Sequence, residues 1–350
     1  MPPQETPTPP QDTASTLSWQ KKRWIALPTI AAASVLVIFV TLAVTRFDIH
    51  PGEIWGTLRN SRPGYYLLAV FLYYLTFPLR GLRWRMLLDN AGAFEHKRRP
   101  TVFEHSLLVL ISWFANLVTW FRLGDAYRAF LLTSKWKLNF PLAMGTVLAE
   151  RVMDIIVVLP LLMLASIGLL QGETSHTASL VLGGATALAV LAATVVLAMR
   201  FYGMHVARIL PARMEKAFVS LHRGMMQSFR QMPALVLLTA AIWLLEAARL
   251  YFVVDALGME LGLAFVLFAS LANSMLTAIP ITPGGLGFVE VGLTGLLVLS
   301  LPRTDAAAVT LLDRSISYFS ILVMGGAAFF IRQSWEAREA RRRARTPAPP

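Results

Sequence analysis

The chain has 350 residues, of which 56% are hydrophobic and only 15% are charged, and its mean hydropathy is +0.57. This composition excludes an ordinary soluble domain and predicts an integral membrane protein. The absence of cysteine excludes disulfides and thiolate metal sites. The formal net charge of +12 could indicate a nucleic-acid-binding protein. The basic residues are instead concentrated in the segments on one side of the predicted membrane spans, so we predict no nucleic-acid partner.

Apolar runs recur along the chain, and most are near the length of about 20 residues that crosses a bilayer as a helix. We predict an all-α polytopic membrane protein with eight spans: 25–45, 64–84, 140–170, 178–199, 234–254, 261–279, 286–301 and 306–331. Residues 1–24 are polar and proline-rich, and residues 332–350 are arginine-rich and end in prolines. Both compositions predict disordered tails that flank a membrane domain over 25–331.

Lysine and arginine are concentrated on one side of these spans. With the N-terminus inside, the cytoplasmic segments carry 25 of the 32 basic residues, the external loops carry four, and three lie within spans. This positive-inside bias predicts a multi-pass protein of the cytoplasmic (inner) membrane with both termini in the cytoplasm.

One apolar segment, residues 103–120, does not fit this alternation, because basic residues flank it on both sides. We predict that residues 103–120 form a re-entrant hairpin; an ordinary span with one exceptional loop is the alternative. After the fourth span, apolar residues recur at helical spacing and predict an amphipathic helix on the inner leaflet: Met214, Phe218, Leu221, Met225 and Phe229.

A proline- and glycine-rich break occupies residues 279–290 between two apolar segments. Irregular backbone is not tolerated against lipid, so such a break predicts a cavity or a polar path, as in transporters with broken helices. Pro283, Gly284, Gly285 and Gly287 form the break, and Glu290 follows it. The glycines would allow close backbone approach to an anion at the N-terminus of the next helix.

Ionisable residues lie inside the spans, where they are costly and usually functional. Glu150 and Asp154 share one helix face, and Arg151 can reach Asp154. We expect Arg151 to be their partner, so its loss should destabilise the protein. Two further pairs are predicted, Glu246 with Arg249 and Asp313 with Arg314. The alternative is that these charges are purely structural pairs.

Four short motifs resemble the lysylphosphatidylglycerol synthase transmembrane family, which is flippase-like. They are Arg-Gly-Leu-Arg-Trp (80–84), Arg-Leu-Gly-Asp-Ala-Tyr-Arg (122–128), Glu-Arg-Val-Met-Asp (150–154) and Pro-Gly-Gly-Leu-Gly-Phe-Val-Glu (283–290). The resemblance covers residues 25–331 and implies the lipid-translocating half without the aminoacyl-transferase domain. Trp120-Phe121 stands where the family often has Pro-Gly.

An internal repeat would also favour a transporter. Phe-Ala-Asn (114–116) precedes Leu-Gly (123–124) much as Leu-Ala-Asn (271–273) precedes Leu-Gly (286–287), with spacings that differ by six residues. From these motifs we predict a lipid translocase that moves a polar or anionic headgroup through a charged groove. The predicted path is Arg83, Arg122, Asp125, Arg128, Glu150, Arg151, Asp154, Pro283, Gly284, Gly285, Gly287 and Glu290, with secondary charges at Glu246, Arg249, Asp313 and Arg314.

Two other functions stay open at this point, a lipid-modifying membrane enzyme and a non-transporting membrane assembly factor. Enzymatic activity is not predicted, because the glycine-rich break lacks the Gly-Lys-Ser/Thr ending of a P-loop and the histidines have no metal-binding spacing. We expect no cofactor and no metal. The predicted substrate is a membrane lipid, either aminoacylated phosphatidylglycerol, another phospholipid, a hopanoid or a polyprenyl phosphate, and a separate lipid-synthesising enzyme is a predicted partner.

Overall fold

The computed structural model describes residues 52, 56, 58–94, 99–167, 169, 175–278 and 282–345. Every regular element within these ranges is helical, which confirms the predicted all-α polytopic class. The N-terminal tail (1–24), the first predicted span (25–45) and the first residues of the glycine-rich break (279–281) lie outside the described residues.

Eleven α-helices can be assigned in the described part of the chain. They are α1 (Pro63–Asn90), α2 (Val102–Val118), α3 (Leu123–Trp136), α4 (Phe140–Ile167), α5 (Ser175–Ile209), α6 (Ala212–Ser228), α7 (Met232–Ala256), α8 (Leu263–Ala278), α9 (Phe288–Leu297), α10 (Arg303–Arg314) and α11 (Ile321–Arg345). A short 3-10 turn (Pro283–Gly285) precedes α9, and a π-helical segment (Ser315–Ser320) joins α10 to α11.

Three helical stretches of the described chain are long and apolar enough to cross a membrane: Pro63–Asn90, Met232–Ala256 and Arg303–Glu336. They correspond to the predicted spans 64–84, 234–254 and 306–331. Helix α4 has a comparable length of 28 residues, but it carries Glu150, Arg151 and Asp154 near its middle. The total of eight spans stays a prediction.

Helices α2 and α3 form an antiparallel hairpin. Phe121 and Arg122 both adopt left-handed backbone conformations (φ 57° and 53°), and these two residues reverse the chain. The open ends of the hairpin meet where Lys135 Nζ lies 2.9 Å from Glu104 Oε1. The prediction of a hairpin confined to 103–120 is therefore wrong, because that segment is one continuous helix and its return limb is α3.

The seventh predicted span, 286–301, is shorter in the structure. Helix α9 has only 10 residues, a length of about 15 Å that cannot cross about 30 Å of hydrocarbon. Its start is set by Gly284, Gly285 and Gly287, whose φ angles of 61°, 71° and 79° do not continue a helix. The prediction of a full span here is wrong, whereas the predicted break is present.

The π-helical segment between α10 and α11 is held by tyrosines of α1. Tyr66 shares a hydrogen bond with the Ser315 hydroxyl (2.9 Å), and Tyr73 donates to the Ser317 carbonyl oxygen (3.3 Å). π-Helical turns inside α-helices are frequent at functional sites, because they displace one residue from the regular ladder. Ser317 of this segment lines a cavity inside the bundle.

The amphipathic helix α6 packs directly on α4 with no side chain between the two backbones at their crossing. A Cβ atom on Gly224 would lie 2.2 Å from the carbonyl oxygen of Leu142, and one on Gly145 would lie 2.2 Å from that of Leu221. The predicted amphipathic helix is thus present and is docked on the helix that carries Glu150.

We expect the substitution Gly224→Ala to lower the thermal stability of the purified protein, because overpacking a close contact typically costs about 1–3 kcal/mol. Gly184→Ala is the matched control, since nothing lies within 4 Å of a Cβ at that position and alanine favours a helix. Melting curves in detergent provide the measurement. An unchanged melting temperature for Gly224→Ala would contradict the tight α4–α6 crossing.

The predicted C-terminal tail (332–350) is partly helical. Helix α11 continues to Arg345, so the prediction of disorder is wrong for residues 332–345. Two local features support the extension: alanine and arginine are good helix formers, and Arg332 Nε donates to Glu336 Oε1 one turn later at 2.8 Å.

Candidate functional site

Arg83 lies at the centre of the first charged cluster. Its side chain is fully buried in α1, and it contacts Glu150 Oε1 at 2.9 Å and Asp154 Oδ1 at 2.6 Å. Thr239 of α7 accepts a further hydrogen bond from Arg83 at 3.1 Å. A single guanidinium therefore joins three helices and contacts both carboxylates of α4.

Arg128 of α3 completes the coordination of Glu150. It donates to Glu150 Oε2 at 2.9 Å, and its guanidinium lies 4.8 Å from the centre of the Trp84 ring in a cation–π contact. Asp125 Oδ1 lies 3.8 Å from the same guanidinium and accepts a hydrogen bond from Ser112 at 3.2 Å. Glu150 thus has both oxygens bound by buried arginines.

Arg151 contacts the same carboxylates from the open side of the cluster. It donates to Asp154 Oδ2 at 3.1 Å, as predicted, and lies 3.4 Å from Glu150 and 3.7 Å from Asp125. Its side chain is 34% exposed, whereas that of Arg83 is 0% exposed. The expectation that Arg151 is the main stabilising partner is therefore wrong, because Arg83 and Arg128 approach from other helices.

A second cluster joins α1, α7 and α10. Arg80 lies 2.8 Å from Glu246 Oε1, and Arg249 lies 3.2 Å from Glu246 Oε2. Arg249 also binds Asp313 across the bundle. The predicted Glu246–Arg249 pair is present as part of this larger cluster.

The third cluster links the glycine-rich break to α10. Arg314 contacts Glu290 Oε1 at 2.7 Å and donates to the Gly284 carbonyl oxygen at 3.0 Å. The predicted Asp313–Arg314 pair is wrong: Asp313 binds Arg249, and Arg314 binds Glu290. Neighbouring residues of a helix point in different directions, so each finds a partner on a different element.

Arg122 connects the tip of the α2–α3 hairpin to the end of α8. It donates to the Thr277 carbonyl oxygen at 2.9 Å, and its Nε lies 3.6 Å from Asp125 Oδ2. Arg151 approaches the same oxygen of Asp125. The two partly exposed side chains therefore both place a guanidinium nitrogen within 4 Å of a single carboxylate oxygen, at 3.6 Å and 3.7 Å.

These clusters surround a cavity of about 370 Å³ inside the bundle. Among the charged residues that line it, arginines outnumber carboxylates five to two: Arg80, Arg122, Arg151, Arg249 and Arg314 against Asp154 and Glu246. Polar and aromatic side chains complete the lining, including Asn116, Asn273, Trp113, Trp243 and Tyr73. A cavity with this lining can hold an anionic, polar group away from bulk lipid.

The predicted path residues divide into two groups in the structure. The cavity is lined by Arg122, Arg151, Asp154, Gly284 and Gly285, together with the secondary charges Glu246, Arg249 and Arg314. The other predicted residues are not part of this lining, and several of them are ion-pair partners: Arg83, Asp125, Arg128, Glu150, Pro283, Gly287, Glu290 and Asp313. Glu150 and Glu290 bind arginines and do not line this cavity, so their place in a translocation path stays a prediction.

Several lining residues were missed from the sequence. Arg80 lies one turn before Arg83 in a quoted motif, and that spacing places both on one helix face, a signal that was available. Trp113 and Trp243, which lie 4.8 Å and 5.6 Å from the Arg80 guanidinium, look like ordinary core residues in the sequence. Asn116 and Asn273 were noticed only as repeat positions.

The charge count along the sequence also needs a correction. Arg80, Arg83, Arg122 and Arg128 were assigned to cytoplasmic segments, but they belong to the ion-pair clusters, and Arg80, Arg83 and Arg128 are buried. Without these four, 21 basic residues remain on the predicted cytoplasmic segments against four outside. The predicted orientation therefore does not depend on them.

The fold and the cavity define a polytopic helical membrane protein with an ion-paired polar interior. The model of the lysylphosphatidylglycerol synthase TM region matches residues 29–325. The chain belongs to this family.

Curated relatives are mostly described as UPF0104 membrane proteins. One from Methanocaldococcus jannaschii is 31% identical over 62% of this chain and 94% of its own length. Another, from Methanothermobacter thermautotrophicus, is 27% identical over 85% of this chain and 94% of its own length. Glycosyltransferase AglD of Haloferax volcanii is 24% identical over 84% of this chain, which spans only 53% of that relative.

Proposed function

We propose that the protein is a lipid translocase that moves an anionic lipid headgroup between leaflets through the arginine-lined cavity. The observation that carries this proposal is the cavity itself, in which five arginines and only two carboxylates face the space. Ionisable groups inside a membrane cost free energy, and they are usually retained because they have a function. An anion is the ligand that such a lining favours.

The charge balance of the site supports an anionic ligand. Across the three clusters, seven arginines face six carboxylates, which leaves one positive charge in excess: Arg80, Arg83, Arg122, Arg128, Arg151, Arg249 and Arg314 against Asp125, Glu150, Asp154, Glu246, Glu290 and Asp313. A phosphodiester carries one negative charge and would neutralise this excess. Arg122 and Arg151 are the partly exposed members and would contact the phosphate first.

Two interrupted elements meet at the cavity, and they provide a polar route for a headgroup. The tip of the α2–α3 hairpin contacts the end of α8 through Arg122, and the glycine-rich turn before α9 packs against α2 at Leu117. Broken helices at the centre of a bundle are typical of transporters, whose substrates bind beside the irregular backbone. The lipid tails would stay in the bilayer while the headgroup passes through the cavity.

The localisation belongs to the same proposal. The positive-inside bias favours a cytoplasmic membrane protein with both termini in the cytoplasm, where anionic lipid headgroups of the inner leaflet are available. A separate enzyme that synthesises the lipid would be a functional partner.

Reconstitution tests the proposal directly. Liposomes that contain the purified protein and a fluorescently labelled phosphatidylglycerol are expected to expose inner-leaflet label to a membrane-impermeant quencher faster than protein-free liposomes. The matched control is a liposome of the same composition with an unrelated helical membrane protein at the same protein-to-lipid ratio. Equal rates in the three preparations would contradict the proposal.

Glycosyl transfer is a second candidate function because one relative is described as a glycosyltransferase. Nearly half of that relative lies outside the match, and the matched region is the membrane domain described above. Within the described residues of this chain, no group of three or more His, Asp or Glu side chains is arranged to hold a metal ion. Transport through the cavity accounts for the site more directly than group transfer does.

A further inference from the structure

The charged lining of the cavity is exposed on one side. Seven charged side chains line the cavity, and five of them are less than a tenth exposed. The other two are Arg122, with 28% of its side chain exposed, and Arg151, with 34%. Arg122 lies at the tip of the α2–α3 hairpin and Arg151 lies on α4. The mouth of the cavity therefore lies between the hairpin tip and α4.

Exposed apolar side chains flank both of these arginines. On the hairpin tip, Phe121 is 74% exposed and Leu123 is 55% exposed, and they stand on either side of Arg122 in the chain. On α4, Leu148 lies one turn before Arg151 and is also exposed. Large apolar side chains that are exposed together mark a surface for lipid or for another apolar partner.

Two helices place the mouth at the depth of the hydrocarbon. Leu123 is at most about 20 Å from Trp136 along α3, and Arg151 is at most about 17 Å from Phe140 along α4, at 1.5 Å per residue. Both distances start from the loop between α3 and α4, which lies on the predicted cytoplasmic side. Because the hydrocarbon is about 30 Å thick, a mouth at this depth opens sideways into the acyl chains.

We propose that this mouth is a lateral entry site for an anionic lipid. The phosphate lies between Arg122 and Arg151, and one acyl chain lies along Phe121 and Leu123. This inference rests on the proposed translocation and adds where the lipid enters and which side chains hold its tail.

Charge complementarity identifies the occupant of the mouth. Arg122 and Arg151 both place a nitrogen within 4 Å of one oxygen of Asp125, at 3.6 Å and 3.7 Å, so two cations share a single carboxylate oxygen. A phosphate beside them adds negative charge and accepts charge-assisted hydrogen bonds. Only a lipid carries such a phosphate together with an apolar tail that covers the exposed Phe121 ring.

The backbone conformation of Phe121 gives independent support. Its φ angle of 57° is uncommon for a bulky residue, whereas glycine adopts this conformation freely. Strained residues persist where the surrounding structure holds them, and they are frequent at ligand-binding sites. Contact between the exposed ring and an acyl chain is a use that explains an aromatic residue at this position.

The accessibility of nitroxide labels tests the position of the mouth. The chain has no cysteine, so Phe121→Cys and Leu123→Cys each give one label on the full-length protein in liposomes. Both labels are expected to collide more often with oxygen, which concentrates in hydrocarbon, than with a water-soluble nickel chelate. The control is Arg223→Cys, at an exposed position on α6, which is expected to show the reverse. Greater access of the chelate to the label at position 121 would overturn the inference.

Photocrosslinking tests the lipid in the mouth. Phe121→benzoylphenylalanine reacts with nearby acyl chains on illumination, in liposomes with equal amounts of phosphatidylglycerol and phosphatidylcholine. Phosphatidylglycerol adducts are expected to exceed phosphatidylcholine adducts roughly tenfold, which corresponds to about 1.4 kcal/mol. The matched control is Leu164→benzoylphenylalanine, because Leu164 is 63% exposed on α4 and about 20 Å beyond Arg151, and no preference is expected there. Equal preferences at the two positions would overturn the inference.

Two further arms assign the preference to the arginines and to a lipid. Adding Arg151→Gln to the probe at position 121 is expected to reduce the preference for phosphatidylglycerol. Excess glycerol 3-phosphate in the buffer is expected to leave the preference unchanged, because a water-soluble phosphate does not reach a mouth that opens into hydrocarbon. A preference that Arg151→Gln fully retains, or that glycerol 3-phosphate removes, would overturn the inference.

The failure of this inference differs from the failure of the proposed function. If the label at position 121 contacts water or the adducts show no preference, while the quencher assay still detects headgroup movement, the lateral entry site falls and translocation stands. If the adducts show the preference and the liposomes show no movement, the lipid contact stands, but translocation falls, and the role of the mouth as an entry site falls with it.

Discussion

Replacement of Arg83 by methionine is expected to lower the stability of this protein severely. Arg83 is fully buried and binds Glu150 and Asp154, which lie on a different helix. Methionine fills a similar volume but leaves both carboxylates short of a cation. Removing one partner of a buried ion pair costs about 3–5 kcal/mol, which is a large part of a typical folding free energy of about 5–15 kcal/mol. Size-exclusion chromatography and melting curves in detergent provide the measurement.

Two comparisons make this prediction specific. Arg223→Met removes the same charge from an exposed position on α6 and is expected to leave the melting temperature near the parental value. The double variant Arg83→Met/Asp154→Asn is expected to recover part of the stability, because one of the two carboxylates left by the first change is gone. A monodisperse Arg83→Met protein with parental stability would contradict the assigned role of Arg83.

Replacement of Arg151 by glutamine is expected to slow headgroup movement by roughly tenfold or more, because a hydrogen bond to a charged group contributes about 1.5–3 kcal/mol. Arg151 lines the cavity and is partly exposed. Its loss leaves Glu150 bound by Arg83 and Arg128, so the fold should persist. The quencher-accessibility rate in liposomes, normalised to the amount of folded protein, provides the measurement.

The control for this second prediction is Arg223→Gln, an equal change of charge outside the cavity. It is expected to translocate at the parental rate. Arg151→Lys, which keeps the charge but loses the planar, forked donor geometry, should lie between the parental protein and Arg151→Gln. A parental rate for Arg151→Gln would show that the cavity arginines do not contact the moving headgroup.

Arg151 and Arg83 differ in how far their contacts could be predicted from the sequence. Arg151 stands between Glu150 and Asp154, and its i,i+3 contact with Asp154 was predicted from the helical repeat alone. The contacts of Arg83 with both carboxylates were not predictable. Arg83 is 67 residues from Glu150 in the chain, and only the packing of α1 against α4 brings them together.

The two other predicted ion pairs also show that contacts within a helix are predictable and contacts between helices are not. Glu246 and Arg249 lie one turn apart on one helix, and the predicted contact is present. Asp313 and Arg314 are adjacent in sequence, so their side chains diverge and each binds a residue on another helix. Spacing rules are reliable for contacts within a helix, and they carry no information about contacts between helices.

The sequence by itself determined the environment, the helical class, the family and the position of the break at residues 283–287. These features depend on composition, apolar run length and local backbone preference, which are properties of short stretches of chain. The tertiary structure alone decided that residues 102–136 form one hairpin, and which arginine neutralises which carboxylate. It also decided that Asn116 and Asn273 share a cavity with Arg122, because that proximity arises from long-range packing of helices distant in sequence.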